Sequence, residues 1–93
     1  FLAIVGRDQV AANCDFVGEG YGLLTPGAVE AIKLFAQTEG ILLDPVYSGK
    51  GAAELLALIR DGYFDADSDV VFLHTGGAQA LFAYPDGFDL EKD

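Results

Sequence analysis

A short segment near the middle of the chain carries side chains that could bind or transform a small ligand. Tyr47 and Ser48 offer hydroxyl groups and Lys50 offers an ammonium group, and glycines are interleaved with them. They follow the apolar residues 41–43, which predict a fully buried strand that stops at Asp44. Ligands of open α/β sheets bind beyond the carboxyl ends of the strands. We therefore interpret this segment as part of a site rather than as a connector.

A second group of polar residues follows another apolar segment. His74, Thr75, Gly76 and Gly77 come directly after residues 70–73, which predict a second strand. A helix is expected to begin after the glycines, so free backbone amides and a positive dipole end would lie there. Both strands would deliver hydroxyl groups to one sheet edge, where an anionic or heteroaromatic ligand could bind. The alternative for His74 is a structural, hydrogen-bonded histidine.

Tyr21 is the large side chain within a glycine-rich segment. Gly18, Gly20 and Gly22 flank it, and glycine allows positive φ and close approach of the backbone to a ligand. An ordinary loop with one packed aromatic residue is the alternative interpretation.

Several catalytic motifs are excluded by their spacing. Residues 48–51 resemble the end of a phosphate-binding loop, but Asp44 stands where its first glycine is expected and no Ser or Thr follows Lys50. His74 could belong to a catalytic triad with a serine and an aspartate, but the sequence contains no nucleophile-elbow motif. With one histidine and the single cysteine Cys14, a zinc site and an internal disulfide are not expected.

Composition restricts the class of protein further. The 93 residues suit one domain at most, and 15 acidic against 5 basic residues give a net charge of −10. This charge repels phosphate backbones and argues against nucleic-acid binding. No apolar run is long enough to predict a membrane span. A lone cysteine is typical of a reducing cytoplasm, which is the expected location.

The pattern of elements indicates an α/β fold. A helix is predicted to begin at Thr25-Pro26 and to end at Gly40, since a hydroxyl cap, a proline and a terminal glycine mark its ends. A second helix over 52–59 is apolar nearly all round, which predicts that it is covered on most sides. Residues 1–5 predict a further strand and 78–83 a short third helix. Helices that alternate with buried strands imply a parallel sheet.

Three motifs in register resemble one enzyme family. They are segments 16–22, 38–50 and 74–77, the last followed by 81–84. The chain resembles the carboxyl-terminal part of the D-cysteine desulfhydrase and 1-aminocyclopropane-1-carboxylate deaminase family, which are pyridoxal-phosphate enzymes of the tryptophan-synthase-β fold type. The resemblance implies that residues 1–93 are a single parallel-strand, three-layer α/β segment of a fold-type II enzyme. That segment would be the carboxyl-terminal part of the large cofactor-binding domain, with the remainder of the enzyme absent.

The resemblance also implies roles for individual residues. Tyr21 and Tyr47 would be catalytic on the substrate side of pyridoxal 5'-phosphate, and Thr75, Ser48 and Gly76 would bind the cofactor, with no metal. Ser48 and Thr75 match the desulfhydrase branch, whereas the deaminase branch typically has Glu and Leu there.

The implied reaction is β-elimination of D-cysteine to pyruvate, sulfide and ammonia. L-cysteate sulfo-lyase and then 1-aminocyclopropane-1-carboxylate deaminase remain alternatives, as does a small acidic α/β binding or interaction module that is not an enzyme. None of Lys33, Lys50 and Lys92 matches the lysine that binds the cofactor covalently, so the 93 residues alone are expected to be inactive. The expected partners are a small amino-acid substrate and, for the full-length protein, a second copy in a homodimer.

Overall fold

The structure, a computed structural model, describes residues 6–12 and 15–88. Two α-helices dominate it, α1 (Pro26–Glu39) and α2 (Ser48–Arg60), and they pack against each other. Short 3₁₀ helices span Arg7–Gln9, Ala78–Ala83 and Pro85–Gly87. The strand predicted at 1–5, and the residues Cys14 and Lys92, lie outside the described residues.

Helix α1 has the ends that its sequence predicts. The Thr25 hydroxyl accepts a hydrogen bond from the Ala28 amide at 3.1 Å, and Pro26 occupies the first helical position. Gly40 ends the helix in the left-handed conformation, with φ of 67°. Its amide donates to the Ala36 carbonyl, so one of the last free carbonyls of the helix is satisfied.

Helix α2 extends beyond the predicted segment 52–59 at both ends, and Gly62 follows its end with φ of 75°. The Tyr63 amide reaches back to the Leu58 carbonyl, a bond that closes the last turn. The third predicted helix has the expected bounds, Ala78–Ala83, but it is a 3₁₀ helix.

The core lies where the two helices meet the segment between them. Its buried side chains are small or aliphatic: Ala31, Ile32, Leu43, Ala52 and Ala53. Half-buried aromatic residues, among them Phe35 and Phe72, pack on its border with ring centroids 5.8 Å apart. Because alanines from both helices face each other, the helices can approach closely.

The predicted parallel sheet is not present in the described residues, which contain no β-strand. Residues 41–43 and 70–73 are irregular connections, and only Leu43 of the first segment is buried. A strand exists through backbone hydrogen bonds to a neighbouring strand, which an apolar run does not supply by itself. Instead, the Leu42 carbonyl bonds to the His74 ring.

The prediction that other parts of the chain cover α2 on most sides is also wrong. Its buried residues cluster at its amino-terminal half, and Ile59 near its end is 53% exposed. Other apolar side chains in the described part of the chain are more open still: Val71 is 90% exposed and Phe82 is 87% exposed. Apolar periodicity thus predicted the helix itself but not the elements that would cover it. Neither helix, nor any other in the described ranges, has the length and hydropathy needed to cross a membrane.

Candidate active site

The structure brings the two predicted catalytic tyrosines together. The hydroxyl oxygens of Tyr21 and Tyr47 lie 2.7 Å apart, and their rings meet edge to face with centroids 5.9 Å apart. Both side chains are largely exposed. The hydrogen bond with Tyr21 raises the pKa of Tyr47 above its ordinary value of 10.0. Either hydroxyl can be the donor of this bond.

The buried carboxylate of Asp44 fixes the backbone that carries Tyr47. It accepts hydrogen bonds from the amides of Val46, Tyr47 and Ser48 at 2.9, 2.7 and 2.9 Å. Burial by itself would raise the pKa of Asp44. The bonds from the Ser48 hydroxyl and from these amides outweigh burial, so the pKa lies below its usual value of 3.8. Asp44 therefore does the work of an N-cap for α2 as a charged acceptor.

Ser48, predicted to bind the cofactor, is engaged within this turn. Its hydroxyl donates to Asp44 Oδ1 at 2.6 Å and accepts from the Asp44 amide at 2.8 Å, and the residue is buried. Both of its usual bonding roles are thus taken by one neighbour. Contact between Ser48 and a cofactor stays a prediction, while its role in shaping the turn is visible in the geometry.

The glycine-rich loop positions Tyr21. Gly18 and Gly22 have φ of 78° and 75°, which explains why glycine is needed at the two bends of the loop. The Lys50 ammonium donates to the carbonyls of Val17 and Gly20, at 2.7 and 3.1 Å. Lys50 thus binds two backbone carbonyl groups of this loop from helix α2.

A cleft of about 350 Å³ opens beside the tyrosine pair. Its lining combines phenol, aliphatic and charged groups, contributed by Phe16, Val17, Tyr21, Tyr47, Lys50 and Glu54. This volume lies at the small end of the range for ligand sites and suits a compact ligand.

The turn that carries Thr75 lies against the Asp44 turn. The His74 ring bonds through Nε2 to the Leu42 carbonyl at 2.7 Å, and its Nδ1 accepts from the Gly76 amide at 3.2 Å. This assigns the neutral Nε2–H tautomer, because Nδ1 must be unprotonated to accept. A Cβ built on Gly77 would lie 3.4 Å from Cγ of Asp44. The two predicted groups therefore do meet, although no sheet aligns them.

Comparison with known proteins identifies the family. A family model described as pyridoxal-phosphate dependent enzyme matches residues 3–76. The chain belongs to this family. D-cysteine desulfhydrases of Salmonella newport, Salmonella heidelberg and Salmonella agona are each 50% identical to it over 83 residues. These residues are 89% of this chain and 25% of each relative, so the chain spans about a quarter of the length of the curated relatives it matches.

Family membership implies pyridoxal phosphate, and part of the residue set fits it. Thr75 is exposed, and among the described residues its hydroxyl has no protein partner, so it can donate to or accept from a ring nitrogen. Gly76 has φ of 104° and open space where a Cβ would stand, so a planar ligand can approach the backbone. Contact of Thr75, Gly76 and the tyrosine pair with the cofactor stays a prediction.

Sequence reasoning missed how far Asp44 and Lys50 organise the site. Asp44 was interpreted as the end of a strand, although an acidic residue four positions before Ser48 is a signal for a side-chain cap. The structural role considered for His74 agrees with its two hydrogen bonds. In the described ranges, no three His, Cys, Asp or Glu side chains are grouped as metal ligands.

Proposed function

We propose that the intact protein containing this chain is a pyridoxal-phosphate-dependent carbon–sulfur lyase that acts on D-cysteine. The reaction consumes D-cysteine and one water and yields pyruvate, ammonium and hydrogen sulfide. The observation that carries the proposal is the hydrogen-bonded tyrosine pair beside a small cleft, in a chain 50% identical to proteins named D-cysteine desulfhydrase. Family membership argues against the alternative of a binding module without enzymatic activity.

The tyrosine pair has a specific task in this proposal. The bound cofactor supplies an electron sink for the negative charge that develops on the substrate α-carbon. Tyr47 carries its proton on Oη at neutral pH, as an ordinary phenol does, and the bond with Tyr21 raises its pKa further. It then donates a hydrogen bond to the departing sulfur and stabilises the charge that develops there. As Tyr47 turns to the sulfur, Tyr21 becomes the donor to Tyr47 Oη, so neither hydroxyl loses its partner.

The chain supplies only part of this machinery. Lys50 lines the cleft but its ammonium is bonded to two carbonyls, and Lys33 lies on α1 and lines a different cavity, so neither described lysine offers a covalent attachment point in the cleft. We propose that residues 1–93 are the carboxyl-terminal part of the large cofactor-binding domain of a fold-type II enzyme and are inactive alone. Visible absorbance from lysine-bound cofactor in the isolated 93-residue chain would contradict this. We also propose a cytoplasmic homodimer, testable by fractionation and by light scattering.

The function is tested by assaying the intact protein with D-cysteine, L-cysteate and 1-aminocyclopropane-1-carboxylate. Pyruvate and sulfide from D-cysteine are expected, because Ser48 and Thr75 match the desulfhydrase branch. Tyr47→Phe should lower kcat by roughly 100-fold or more, as expected when a positioned proton donor is removed.

Tyr63→Phe provides the matched control, since Tyr63 is exposed and packs on Phe64. It should leave the rate unchanged. Sulfite from L-cysteate or oxobutyrate from the cyclopropane as the main product would refute the proposed substrate, and no product from any of the three would refute the lyase.

A further inference from the structure

Lys50 is a buried cation that the proposed chemistry does not use. It is the third residue of α2, and only 8% of it is exposed. A positive charge near the amino end of a helix is electrostatically unfavourable, and burial of an ammonium group costs further free energy. Such a residue must make compensating contacts, and those contacts indicate its role.

The contacts of Lys50 join the two halves of the tyrosine pair. Its ammonium donates to the carbonyls of Val17 and Gly20, which lie 33 and 30 residues away in sequence. Gly20 directly precedes Tyr21, and Lys50 lies three residues after Tyr47 at the start of the same helix. The lysine therefore holds the glycine-rich loop from the element that positions Tyr47.

Tyr21 needs such a restraint because packing does not hold it. It is 79% exposed, and the carbonyls that Lys50 binds lie on either side of Gly18, which has φ of 78°. A loop with several glycines loses much conformational freedom when it is ordered, so a cross-link between its carbonyls and a buried cation restricts it effectively.

We propose that Lys50 is the positioning residue that sets the contact between Tyr21 and Tyr47. It acts through the loop and not on the substrate, so it is not a catalytic residue. The consequence for catalysis rests on the proposed lyase function. The effect of Lys50 on the contact between the two tyrosines does not rest on that function. The contact and the catalytic rate can be measured separately.

The experiment uses the intact protein and the variants Lys50→Met and Lys33→Met. Lys50→Met keeps an unbranched side chain of similar size but removes all the donors. Lys33 lies on α1 and lines a different cavity, so Lys33→Met controls for the loss of one lysine. The first measurement is the pKa of Tyr47, obtained from a pH titration monitored by NMR of ring-labelled tyrosine. The Tyr47 resonance is assigned by its loss in Tyr47→Phe.

The expected result is a lower pKa for Tyr47 in Lys50→Met, because the hydrogen bond with Tyr21 that raises it is released. Lys33→Met should titrate as the wild type does. In a Tyr21→Phe background, Lys50→Met should cause no further shift, since the two changes break the same contact. A lysine that served only overall stability would not produce this dependence on Tyr21.

The kinetic measurement uses the same double-mutant cycle of Lys50→Met and Tyr21→Phe. Lys50→Met should lower kcat/KM for D-cysteine roughly 10- to 100-fold, the loss expected from misplacement by about 1 Å, and far less in the Tyr21→Phe background. If the wild type has no lyase activity, the proposed function fails, and the titration still decides the role of Lys50.

An unchanged Tyr47 titration in folded Lys50→Met, or additive effects of the two substitutions, overturns the inference. If Lys50→Met does not fold, Lys50→Gln takes its place. The side-chain nitrogen of glutamine lies one bond nearer the backbone than Nζ of lysine, so it reaches the carbonyls of Val17 and Gly20 less well. The same direction of shift is then expected, with smaller size, and an unchanged titration overturns the inference equally.

Discussion

Replacing Asp44 by asparagine tests whether one buried carboxylate holds the site together. In the wild type, Oδ2 accepts from the amides of Val46 and Tyr47, and Oδ1 accepts from the amide and hydroxyl of Ser48. Asparagine has the same shape but only one acceptor oxygen. If its NH₂ group faces the amides of Val46 and Tyr47, both of those bonds are lost; if it faces Ser48, the Ser48 amide loses its acceptor and the Ser48 hydroxyl can only accept from the NH₂ group instead of donating to a carboxylate.

The size of the effect follows from these bonds. Hydrogen bonds to a charged group contribute about 1.5 to 3 kcal/mol each, so two of them give an upper range of about 3 to 6 kcal/mol. Tyr47 is exposed, and water can satisfy part of the released backbone. We therefore expect Asp44→Asn to destabilise the turn by about 2 to 4 kcal/mol. Since every 1.4 kcal/mol is a factor of ten in an equilibrium constant, this corresponds to a roughly 30- to 700-fold larger population of the locally open state.

Hydrogen–deuterium exchange of the intact protein measures this opening directly. The amides of Val46, Tyr47 and Ser48 donate to Asp44, so the peptide that covers them should lose protection in Asp44→Asn. Asp69→Asn, a change at an exposed acidic residue, is the matched control and should leave that peptide unchanged. Equal protection of residues 46–48 in Asp44→Asn and in the wild type would refute the reasoning.

The pH dependence provides a second check with a definite sign. The pKa of Asp44 is lowered on folding, so its contribution to stability is complete above 3.8 and is lost as the pH falls through the lowered value. The difference between wild type and Asp44→Asn should therefore shrink at strongly acidic pH. A difference that persists or grows there would contradict a charged acceptor at this position.

Two further predictions concern the same turn and the tyrosines. Tyr21→Phe should lower the pKa of Tyr47 toward 10.0, because the hydrogen bond between the two tyrosines raises it. In the wild type, the stabilisation from this bond should be present below pH 10.0 and be lost as the pH rises through the raised pKa of Tyr47. Ultraviolet titration of tyrosinate in the wild type and in Tyr21→Phe measures both effects. Gly49→Ala would place Cβ 2.5 Å from the Asp44 carbonyl oxygen and should destabilise the protein by about 1 to 3 kcal/mol in urea unfolding. Gly27→Ala, whose Cβ meets ordinary contacts, should be neutral or stabilising by up to about 1 kcal/mol, and equal effects of the two would refute the packing argument.

The helix ends were predictable because their signals are local. Thr25, Pro26 and Gly40 act within one turn of the helix they bound, so reading their side-chain chemistry along the chain was sufficient. Asp44 acts just as locally, but the proline that follows it favoured its interpretation as a strand end. The missed signal was the serine four residues on, whose hydroxyl and amide both donate to the carboxylate.

The sheet was not predictable in the same way, because a strand depends on distant partners. Residues 70–73 are apolar, yet Val71 is 90% and Leu73 is 79% exposed in the described structure. Hydrophobicity favours burial but does not specify what covers the residue. The chain also spans only a quarter of the length of its desulfhydrase relatives, so the elements that pair with and cover such segments need not lie within it.

The tyrosine pair lies between these two cases. Tyr21 and Tyr47 are 26 residues apart, and no local rule joins them; in the sequence, only the resemblance to an enzyme family relates the two. Their physical link is the Lys50 ammonium, which binds the loop of one tyrosine from the helix of the other. Asp44 and Lys50 thus hold one half of a site by contacts made within this chain. A cofactor and substrate would meet preorganised donors there, which lowers the ordering cost of binding.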